Sequence, residues 1–329
     1  MGEIMGGNLH RLIIPWQESE FPYPWKKKFP DYGEFHLEIG FGNGEFLVYL
    51  AKVFPEALII GIDLSSRSLL QAMKRIRKEK ISNITLLQGE GKFLLKNLFP
   101  SFFLTGIYIN FPDPWPKERH AKRRLITPEF LRILSQKLRK NGKLLITTDW
   151  KDYAEQIEKI LKDFGEFQRI HPPSWLLSFS TKYMRKAKEE GREINFFFLE
   201  KLKDLRYFPE EIKIVEPMPH IIFKAEIHME DLFSSFTPQE KKFDHILIKF
   251  QEVYLSQNKD SLLFPVIVIE EGMKQEFAIM LVPHGQDWIL KLSSIGRPLI
   301  TWGVKKAVKE IFEWLKSRIP LEVKKSTLS

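Results

Sequence analysis

Residues 38–44 read Glu-Ile-Gly-Phe-Gly-Asn-Gly and stand at the end of a short, mainly apolar run at residues 35–39. The glycines at positions 40, 42 and 44 permit positive φ angles that other residues resist. The run before them has the length of a buried strand, and the residues after them, to about Val53, have the spacing of an amphipathic helix. We therefore predict a tight strand-to-helix turn that presents backbone groups at the edge of a sheet.

On either side of this turn, apolar runs of strand length alternate with longer runs of helical spacing. The predicted strands are at residues 35–39, 57–62, 83–88, 104–110, 143–148 and 193–202. The predicted helices are at residues 45–53, 67–80 (a strongly basic one), 91–98, 127–140 and 151–164. Such alternation is typical of right-handed βαβ units. We expect an α/β fold over residues 34–202, with a Rossmann-like, mostly parallel sheet and helices on both faces.

Two further segments flank the predicted sheet. Residues 1–33 are rich in Pro and Trp and carry three successive lysines, so we interpret them as an arm that is disordered or lies on the domain surface. Residues 203–329 are predicted to form a smaller α+β domain whose role the sequence does not indicate. Its predicted strands are at residues 221–229, 265–270, 276–282 and 288–292, and its predicted helices are at residues 237–255, from a capping-box pattern at Thr237, and 303–317.

The composition of the 329-residue chain excludes several functional classes. A hydrophobic share of 43% supports a folded core. Because there is no cysteine, disulfides, Cys-ligated zinc, iron–sulfur clusters and thiol nucleophiles are excluded, and we expect no metal. No apolar run approaches the about 20 residues of a membrane span, and residues 1–11 lack the apolar core of a signal peptide. We expect a cytoplasmic protein with no membrane partner.

The formal net charge of the chain is +9, from 51 Lys and Arg against 42 Asp and Glu. Residues 203–329 hold 18 basic and 18 acidic residues, so the whole surplus lies in residues 1–202. A basic surplus by itself is only a weak sign of a polyanionic partner. Its concentration in the predicted sheet domain directs attention to the motifs of that domain.

The glycine turn discriminates between two classes of nucleotide ligand. A dinucleotide site has the spacing G-x-G-x-x-G, but here the third glycine comes one residue early and Glu45 takes its place. Glu38 also puts a carboxylate where it would repel a pyrophosphate. S-adenosylmethionine carries a sulfonium and an ammonium group and no phosphate, so an acid beside the turn favours it over a nicotinamide cofactor.

Two further acids follow the second and third predicted strands. Asp63 is placed either to accept hydrogen bonds from ribose hydroxyls, which both cofactor classes carry, or to act as a helix N-cap. Glu90 is placed either to meet the adenine amino group or to lie on the surface as a solvated carboxylate.

Residues 110–117 read Asn-Phe-Pro-Asp-Pro-Trp-Pro-Lys and end the fourth strand, because proline has no N–H for a strand ladder. Prolines on both sides of Asp113 restrict the backbone that carries its carboxylate. Trp115 offers an aromatic face for a base. Asp149 and Trp150 repeat the pairing of an acid with a tryptophan at the end of the fifth strand.

A run of basic side chains follows the proline loop. It consists of Lys117, Arg119, His120, Lys122, Arg123 and Arg124. Such a run is either a solvated turn or a set of contacts to a phosphate backbone. Its position at the ligand-binding edge of the predicted sheet favours the second interpretation.

These motifs together resemble the bacterial tRNA (guanine-N(7)-)-methyltransferase family, over residues from about 34 to 200. The matching segments are residues 37–44, 110–117, 119–120, 122–124 and 147–150, in the order and spacing of the family. The resemblance implies methyl transfer from S-adenosylmethionine to N7 of a guanine in the tRNA variable loop, at position 46 in tRNA numbering, with S-adenosylhomocysteine as the product.

The resemblance also implies roles for individual residues. We assign cofactor binding to Glu38, Gly40, Gly42, Gly44, Asp63, Glu90, Asn110 and Asp113. We assign substrate binding to Lys117, Arg123, Arg124, Asp149, Thr181 and Tyr183. Asp113 and Asp149 are the candidate catalytic residues. We expect tRNA as the partner, no DNA, and a monomer or homodimer.

One departure from the family pattern affects the substrate site. The family carries T-x-x-E late in the sheet domain, whereas residues 181–184 read Thr-Lys-Tyr-Met here. Met184 cannot accept a strong hydrogen bond. The sequence leaves open whether Asp149 takes over more of the guanine recognition, or whether Glu189 or Glu190 replaces the missing acid.

Two other functions remain as alternatives. Asn110 and the prolines partly fit the Asn-Pro-Pro-Tyr-like loop of enzymes that methylate an amino group of adenine or of a protein glutamine, although Asp113 breaks that pattern. A module that binds RNA on an inactive methyltransferase sheet is the second alternative, and the intact acids argue against it.

Overall fold

The structure is a computed structural model that describes residues 12–16, 19–203, 217–270, 273–296 and 298–328. The chain divides into two compact units, residues 1–210 and residues 211–329. Each unit is described by itself. The predicted boundary at residue 203 adjoins residues 204–216, which lie outside the described ranges, so it stays a prediction.

The first unit is built on a mixed sheet. Its strands are β1 (Glu34–Ile39), β2 (Ala57–Asp63), β3 (Ile84–Gln88), β4 (Leu104–Asn110), β5 (Leu138–Thr148), β6 (Phe167–Arg169) and β7 (Asn195–Lys201). Its helices are α1 (Trp25–Lys28), α2 (Glu45–Val53), α3 (Ser66–Lys78), α4 (Gly91–Leu98), α5 (Pro128–Lys137), α6 (Lys151–Lys162), α7 (Ser174–Leu177) and α8 (Lys182–Glu189), with a 3-10 helix at Glu118–Arg123. The strand order is β3-β2-β1-β4-β5-β7-β6.

The strand directions confirm the predicted mostly parallel sheet. Strands β1 to β5 pair in parallel, and β7 runs antiparallel to β5 and β6. The chain moves outward from β1 to β3 and then returns to the other side of β1 as β4. Since crossovers are right-handed, this reversal places the helices before β3 and the helix after β4 on opposite faces. The carboxyl ends of β1 and β4 meet at the reversal, where ligands bind in open α/β sheets.

The start of β5 differs most from the boundaries predicted for this unit. The helix predicted at residues 127–140 ends at Lys137, and β5 begins at Leu138 rather than at residue 143. Leu138 is buried and pairs with Leu104 of β4 in the sheet. The pairing of Leu138 with Leu104 therefore ends the helix earlier than the local sequence predicts.

The described part of the N-terminal arm lies on the surface of the first unit. Trp16 and Trp25 are buried, and their indole N–H groups donate to the carbonyl oxygens of Gln88 (2.7 Å) and Leu98 (2.8 Å). Trp25 also stacks on Phe99, with ring centroids 4.8 Å apart. The aromatic residues of residues 12–33 thus attach this stretch to the sheet domain, whereas residues 1–11 lie outside the described ranges.

The second unit is an antiparallel sheet covered on one face by helices. Its elements are β8 (His220–Lys224), α9 (Met229–Ser235), β9 (Gln239–Phe243), β10 (Ile246–Phe250), β11 (Tyr254–Leu255), β12 (Leu262–Glu270), β13 (Met273–His284), β14 (Asp287–Leu292), α10 (Trp302–Lys316) and β15 (Glu322–Ser326). The strand order is β15-β8-β14-β13-β12-β10-β9, and β11 pairs with β12. Side chains of α9 and α10 share one apolar core with the sheet, including Phe223, Phe264 and Val308.

Two predictions for this unit are wrong. Residues 237–255 do not form a helix, because β9 and β10 pair as a hairpin through Asp244, which has a φ of +42°. In β10, Ile248 and Phe250 are buried, which is the two-residue period of a strand. The strand predicted at residues 221–229 ends at Lys224, and Met229 begins α9 instead. At residues 237–255, the burial of alternate apolar side chains in β10 outweighs the local capping pattern at Thr237.

Candidate active site

Glu38 lies near the end of β1 and is buried, with 2% of its surface exposed. The side-chain amide of Asn110, at the end of β4, donates to its Oε1 over 3.3 Å, and the Thr147 hydroxyl of β5 donates to the Asn110 oxygen over 3.1 Å. Its Oε2 is buried without a hydrogen-bond partner among the described residues. Burial raises the pKa of the Glu38 carboxyl to about 8. Three strands therefore hold one carboxyl group that still lacks a partner for one oxygen.

The glycine turn follows Glu38 directly and adopts the predicted conformation. Gly40, Gly42 and Gly44 have φ angles of +78°, +55° and +73°. A Cβ atom at Gly40 or Gly42 would meet nothing within 4 Å, so the backbone there is open to a ligand. A Cβ atom at Gly44 would lie 2.8 Å from the Cβ of Ala72 in α3. The third glycine thus serves the packing of α2 against α3, and the first two are free for binding.

The acids at positions 63 and 90 both organise local backbone. Asp63 accepts from the N–H groups of Gly42 (2.9 Å) and Ser65 (2.8 Å), and Ser65 rather than Asp63 is the N-cap of α3. Glu90 is the N-cap of α4 and accepts from Lys92 (3.0 Å) and Phe93 (2.6 Å). Glu90 therefore has a structural function as a helix cap, and its predicted contact to the adenine amino group stays a prediction.

The proline loop leaves β4 in a constrained conformation. Phe111 and Trp115 have φ angles of +50° and +45°, which non-glycine residues rarely adopt. Asp113, between them, is exposed. The Asp113 carboxylate is therefore exposed on a loop whose backbone is restricted on both sides of it.

Arg124 is buried, in contrast to the neighbouring Lys122 and Arg123. It is 8% exposed, its Nε donates to the Pro114 carbonyl over 2.8 Å, and its Nη1 donates to Gln156 over 2.6 Å. Its guanidinium also lies 5.0 Å from the centre of the Tyr153 ring. With Nε and Nη1 engaged inside the protein, Arg124 braces the proline loop, and its predicted contact to RNA stays a prediction.

The other basic side chains of the run point outward. Lys117, Arg119, Lys122 and Arg123 are exposed. Arg123 lies over the Trp115 ring at 5.0 Å, and His120 meets the same ring edge-on at 5.9 Å. Trp115 is therefore held by a cation over its ring and by a histidine in a T-shaped contact.

Asp149, at the end of β5, forms an ion pair that the sequence analysis did not identify. Its Oδ2 accepts from Nη1 of Arg192, and Nη2 of Arg192 lies 2.5 Å from Oε2 of Glu190. Asp149 and Arg192 line a cavity of about 950 Å³ between α6 and β7. Because Arg192 is 43 residues away in sequence, only the antiparallel return of β7 brings it to Asp149.

The segment that departs from the family pattern forms the start of α8. The Thr181 hydroxyl accepts from the Met184 N–H over 3.1 Å, and the Met184 sulfur lies 3.4 Å from the Thr181 nitrogen. Met184 is buried. Tyr183 is 61% exposed and stacks on Phe111 of the proline loop, with ring centroids 5.9 Å apart. This segment thus contacts the proline loop through the ring of Tyr183. Glu190, one of the two acids considered as a replacement for the family Glu, forms an ion pair with Arg192.

A family model described as "Putative methyltransferase" matches residues 33–197, which is half of the chain. The protein is thus a methyltransferase by family. A tRNA (guanine-N(7)-)-methyltransferase of Thermus thermophilus is 31% identical over 93% of this chain and 96% of its own length. Enzymes of the same name from Thermotoga maritima and Deinococcus radiodurans are 30% and 29% identical, over 92% and 93% of this chain. The chain belongs to the tRNA (guanine-N(7)-)-methyltransferase family.

The described residues offer neither a cluster of metal ligands nor a membrane-spanning helix. No group of three or more His, Asp or Glu side chains is arranged there to hold a metal ion. No helix in the described ranges has both the length and the apolar character required to cross a bilayer.

Proposed function

We propose that this protein transfers the methyl group of S-adenosylmethionine to N7 of the guanine at position 46 in the tRNA variable loop. The observation that carries the proposal is the similarity to enzymes of that name over 93% of the chain, second unit included. The same similarity argues against the amino-group methyltransferase and the inactive RNA-binding module.

The glycine turn and its acids fit S-adenosylmethionine. The unpartnered Glu38 oxygen suits a cationic ligand, since a nearby positive charge favours the ionised form of a carboxyl with a raised pKa. Gly40 and Gly42 leave space for the ligand beside the backbone, and Asp63 is oriented by two backbone N–H groups. Glu38, Asp63, Glu90 and Asn110 would hold the cofactor, which supplies a methyl group bonded to a positively charged sulfur.

The substrate side of the site needs positioning rather than a base. N7 of guanine has an available lone pair, so no proton must leave before attack. Alignment of bound reactants can lower such barriers by about 7–11 kcal/mol in favourable cases. Phe111 and Tyr183 present stacked rings at the rim, where a base extruded from folded RNA would pack.

Two aspartates would stabilise the charge that develops on the purine. Asp113 lies exposed at the tip of the proline loop. Asp149 has Oδ2 bound to Arg192, so Oδ1 is the oxygen we assign to an N–H group of the guanine Watson–Crick edge. Carboxylates held in advance near a developing cation favour the transition state. Lys117 and Arg123 would hold the RNA backbone beside them.

The test is methylation of a tRNA transcript by the purified protein, followed by chemical cleavage at N7-methylated guanine. We expect cleavage at a single site, in the variable loop. A transcript with adenine at that position should incorporate no methyl group. Equal methylation of both transcripts would overturn the proposal. We also propose that the protein acts in the cytoplasm as a monomer or homodimer and has no DNA or membrane partner. Sedimentation analysis tests the oligomeric state.

A further inference from the structure

The outward face of α3 (Ser66–Lys78) is a strongly basic surface that the proposed site does not use. Its exposed cations are Arg67, Lys74, Arg77 and Lys78, and Lys80 follows directly. Leu69, Ala72 and Ile76 point the opposite way, into the core. At 1.5 Å per residue the stripe from Arg67 to Lys78 is about 16 Å long.

These cations lack the carboxylate partners that other helices provide. Surface lysines pair within the helix in α6 (Lys151–Glu155), α8 (Lys186–Glu190) and α10 (Lys306–Glu310). Among the described residues, no carboxylate forms an ion pair with the α3 cations. The one acid next to them, Glu79, pairs with Lys52 over 3.0 Å, and it also attracts Lys78 and Arg75 electrostatically at longer range. The face therefore has a net positive charge with no direct ion pair among the described residues, in contrast to the mixed charge of an ordinary solvated helix.

Apolar side chains accompany the charge at the N-terminal end of α3. Leu64 is 70% exposed and Leu70 is 58% exposed. Large apolar groups in such a position are typical of a surface that contacts a partner, where they pack against sugars or bases. A second copy docked through this same face in a two-fold dimer would bring the cations of both copies together, which is unfavourable.

The helix is fixed to the candidate active site at three points. The Ser65 N–H donates to Asp63 over 2.8 Å, and Gln88 donates to the Ser66 hydroxyl over 2.7 Å. Nε of Arg75 donates to the carbonyl oxygen of Asn43 in the glycine turn over 3.2 Å. A phosphate bound on α3 would thus stand at a set distance from the reacting atoms.

We propose that the outward face of α3 binds phosphates of the substrate tRNA, as a second contact surface apart from the cations of the proline loop. The inference rests on the proposed function. It explains a part of the positive surplus of residues 1–202 that the proline loop does not.

The experiment compares two triple variants of the full chain. The first, Lys74→Ala with Arg77→Ala and Lys78→Ala, removes three α3 cations and leaves Arg75 and its bond to the glycine turn. Alanine keeps the helix because it has the highest helix propensity. The matched control, Lys259→Ala with Lys316→Ala and Lys324→Ala, removes the same charge from exposed, ion-paired lysines of the second unit.

The measurement is the affinity for tRNA across a salt series, together with the affinity for S-adenosylmethionine. Each phosphate contact contributes about 0.7–0.9 to the slope of log K against log salt. We expect the α3 variant to lose about 2 in slope, to raise KM for tRNA about tenfold, and to bind S-adenosylmethionine normally. The control variant should keep the slope of the unmodified protein.

The outcomes separate the two proposals. An unchanged slope in the α3 variant, or an equal loss in both variants, would overturn the inference while the unmodified protein still methylates its tRNA. A change in sedimentation mass without a change in slope would assign the face to a second copy and also overturn it. Failure of the unmodified protein to methylate tRNA would instead refute the proposed function.

Discussion

At the scale of single residues, the fold changes the pKa of Glu38, a carboxyl group at the candidate active site. Burial holds its pKa at about 8, above the usual 4.5 of a glutamate. Between these two pH values the folded chain binds more protons than the unfolded chain, so this group lowers the free energy of unfolding as pH rises through that window. A cation bound beside Glu38 favours the ionised carboxylate over the protonated form. Binding of the cationic cofactor is therefore coupled to the release of a proton.

This coupling predicts a pH dependence of cofactor affinity. Between pH 6 and 7.5 the affinity for S-adenosylmethionine should rise with pH, by up to about tenfold per unit. Isothermal titration in buffers of different ionisation enthalpy should show close to one proton released per cofactor bound. In Glu38→Gln the affinity should be lower and its pH dependence should be lost. A flat profile in the unmodified protein would show that Glu38 does not change its charge on binding.

Asp149 allows a separate prediction, because its proposed partner is the guanine and not the cofactor. Asp149→Asn should lower kcat for tRNA by about 100-fold, the scale of losing one oriented electrostatic contact. S-adenosylmethionine binding should change less than about threefold. Asp163→Asn is the matched control, since Asp163 is an exposed acid at the C-cap of α6. Single-turnover methylation by Asp149→Asn at the rate of the unmodified protein would exclude the proposed role.

At the scale of elements, the contact between α2 and α3 depends on the third glycine of the turn. Gly44→Ala places a Cβ atom 2.8 Å from Ala72 and also strains a φ of +73°. We expect it to lower the free energy of unfolding by about 2–4 kcal/mol, the sum of backbone strain and overpacking. Thermal or denaturant unfolding measures the change.

Gly191→Ala is the control for the backbone term alone. Gly191 has a φ of +66°, and a Cβ atom there would meet nothing within 4 Å. This variant should lower the free energy of unfolding by only about 1 kcal/mol. Equal costs for the two variants would mean that the contact with Ala72 does not restrict position 44.

The sequence predicted the parts of the fold that depend on local patterns. The βαβ alternation, the positive φ angles of the glycine turn and the N-cap at Thr127 are properties of neighbouring residues. The hairpin of β9 and β10 was missed because the capping pattern at Thr237 is local, whereas the pairing partner β12 is not. The Asp149–Arg192 ion pair and the brace formed by Arg124 were missed because both join side chains across separate elements.

At the scale of the whole molecule, each unit has a core of its own. In the second unit, the fully buried Phe264 meets Phe236 and Trp314 edge-on, at 5.1 Å and 5.9 Å. The described core of the first unit is formed by other residues, among them Phe46, Leu47 and Ile59. Separate cores predict that a cavity in one unit leaves the ligand site of the other intact.

Phe264→Ala tests this independence. It should lower the free energy of unfolding of the second unit by about 3–5 kcal/mol, through lost apolar burial and a residual cavity. Scanning calorimetry should show one transition shifted to lower temperature, while S-adenosylmethionine binding to the native protein stays unchanged. Phe233→Ala, at a half-exposed phenylalanine of α9, should have a much smaller effect. A parallel loss of cofactor affinity would show that the two units are coupled.

The outer strands of the second sheet have a consequence for the behaviour of the protein in concentrated solution. β15 is exposed along its length, carries Lys324 and Lys325, and has an irregularity in its pairing between Val323 and Lys325. β9, at the opposite edge, carries Lys241 and Lys242. Lysines and irregular pairing on an edge strand oppose the addition of a strand from a neighbouring chain. The folded sheet is thus protected at both edges against the edge-to-edge growth that begins fibril formation.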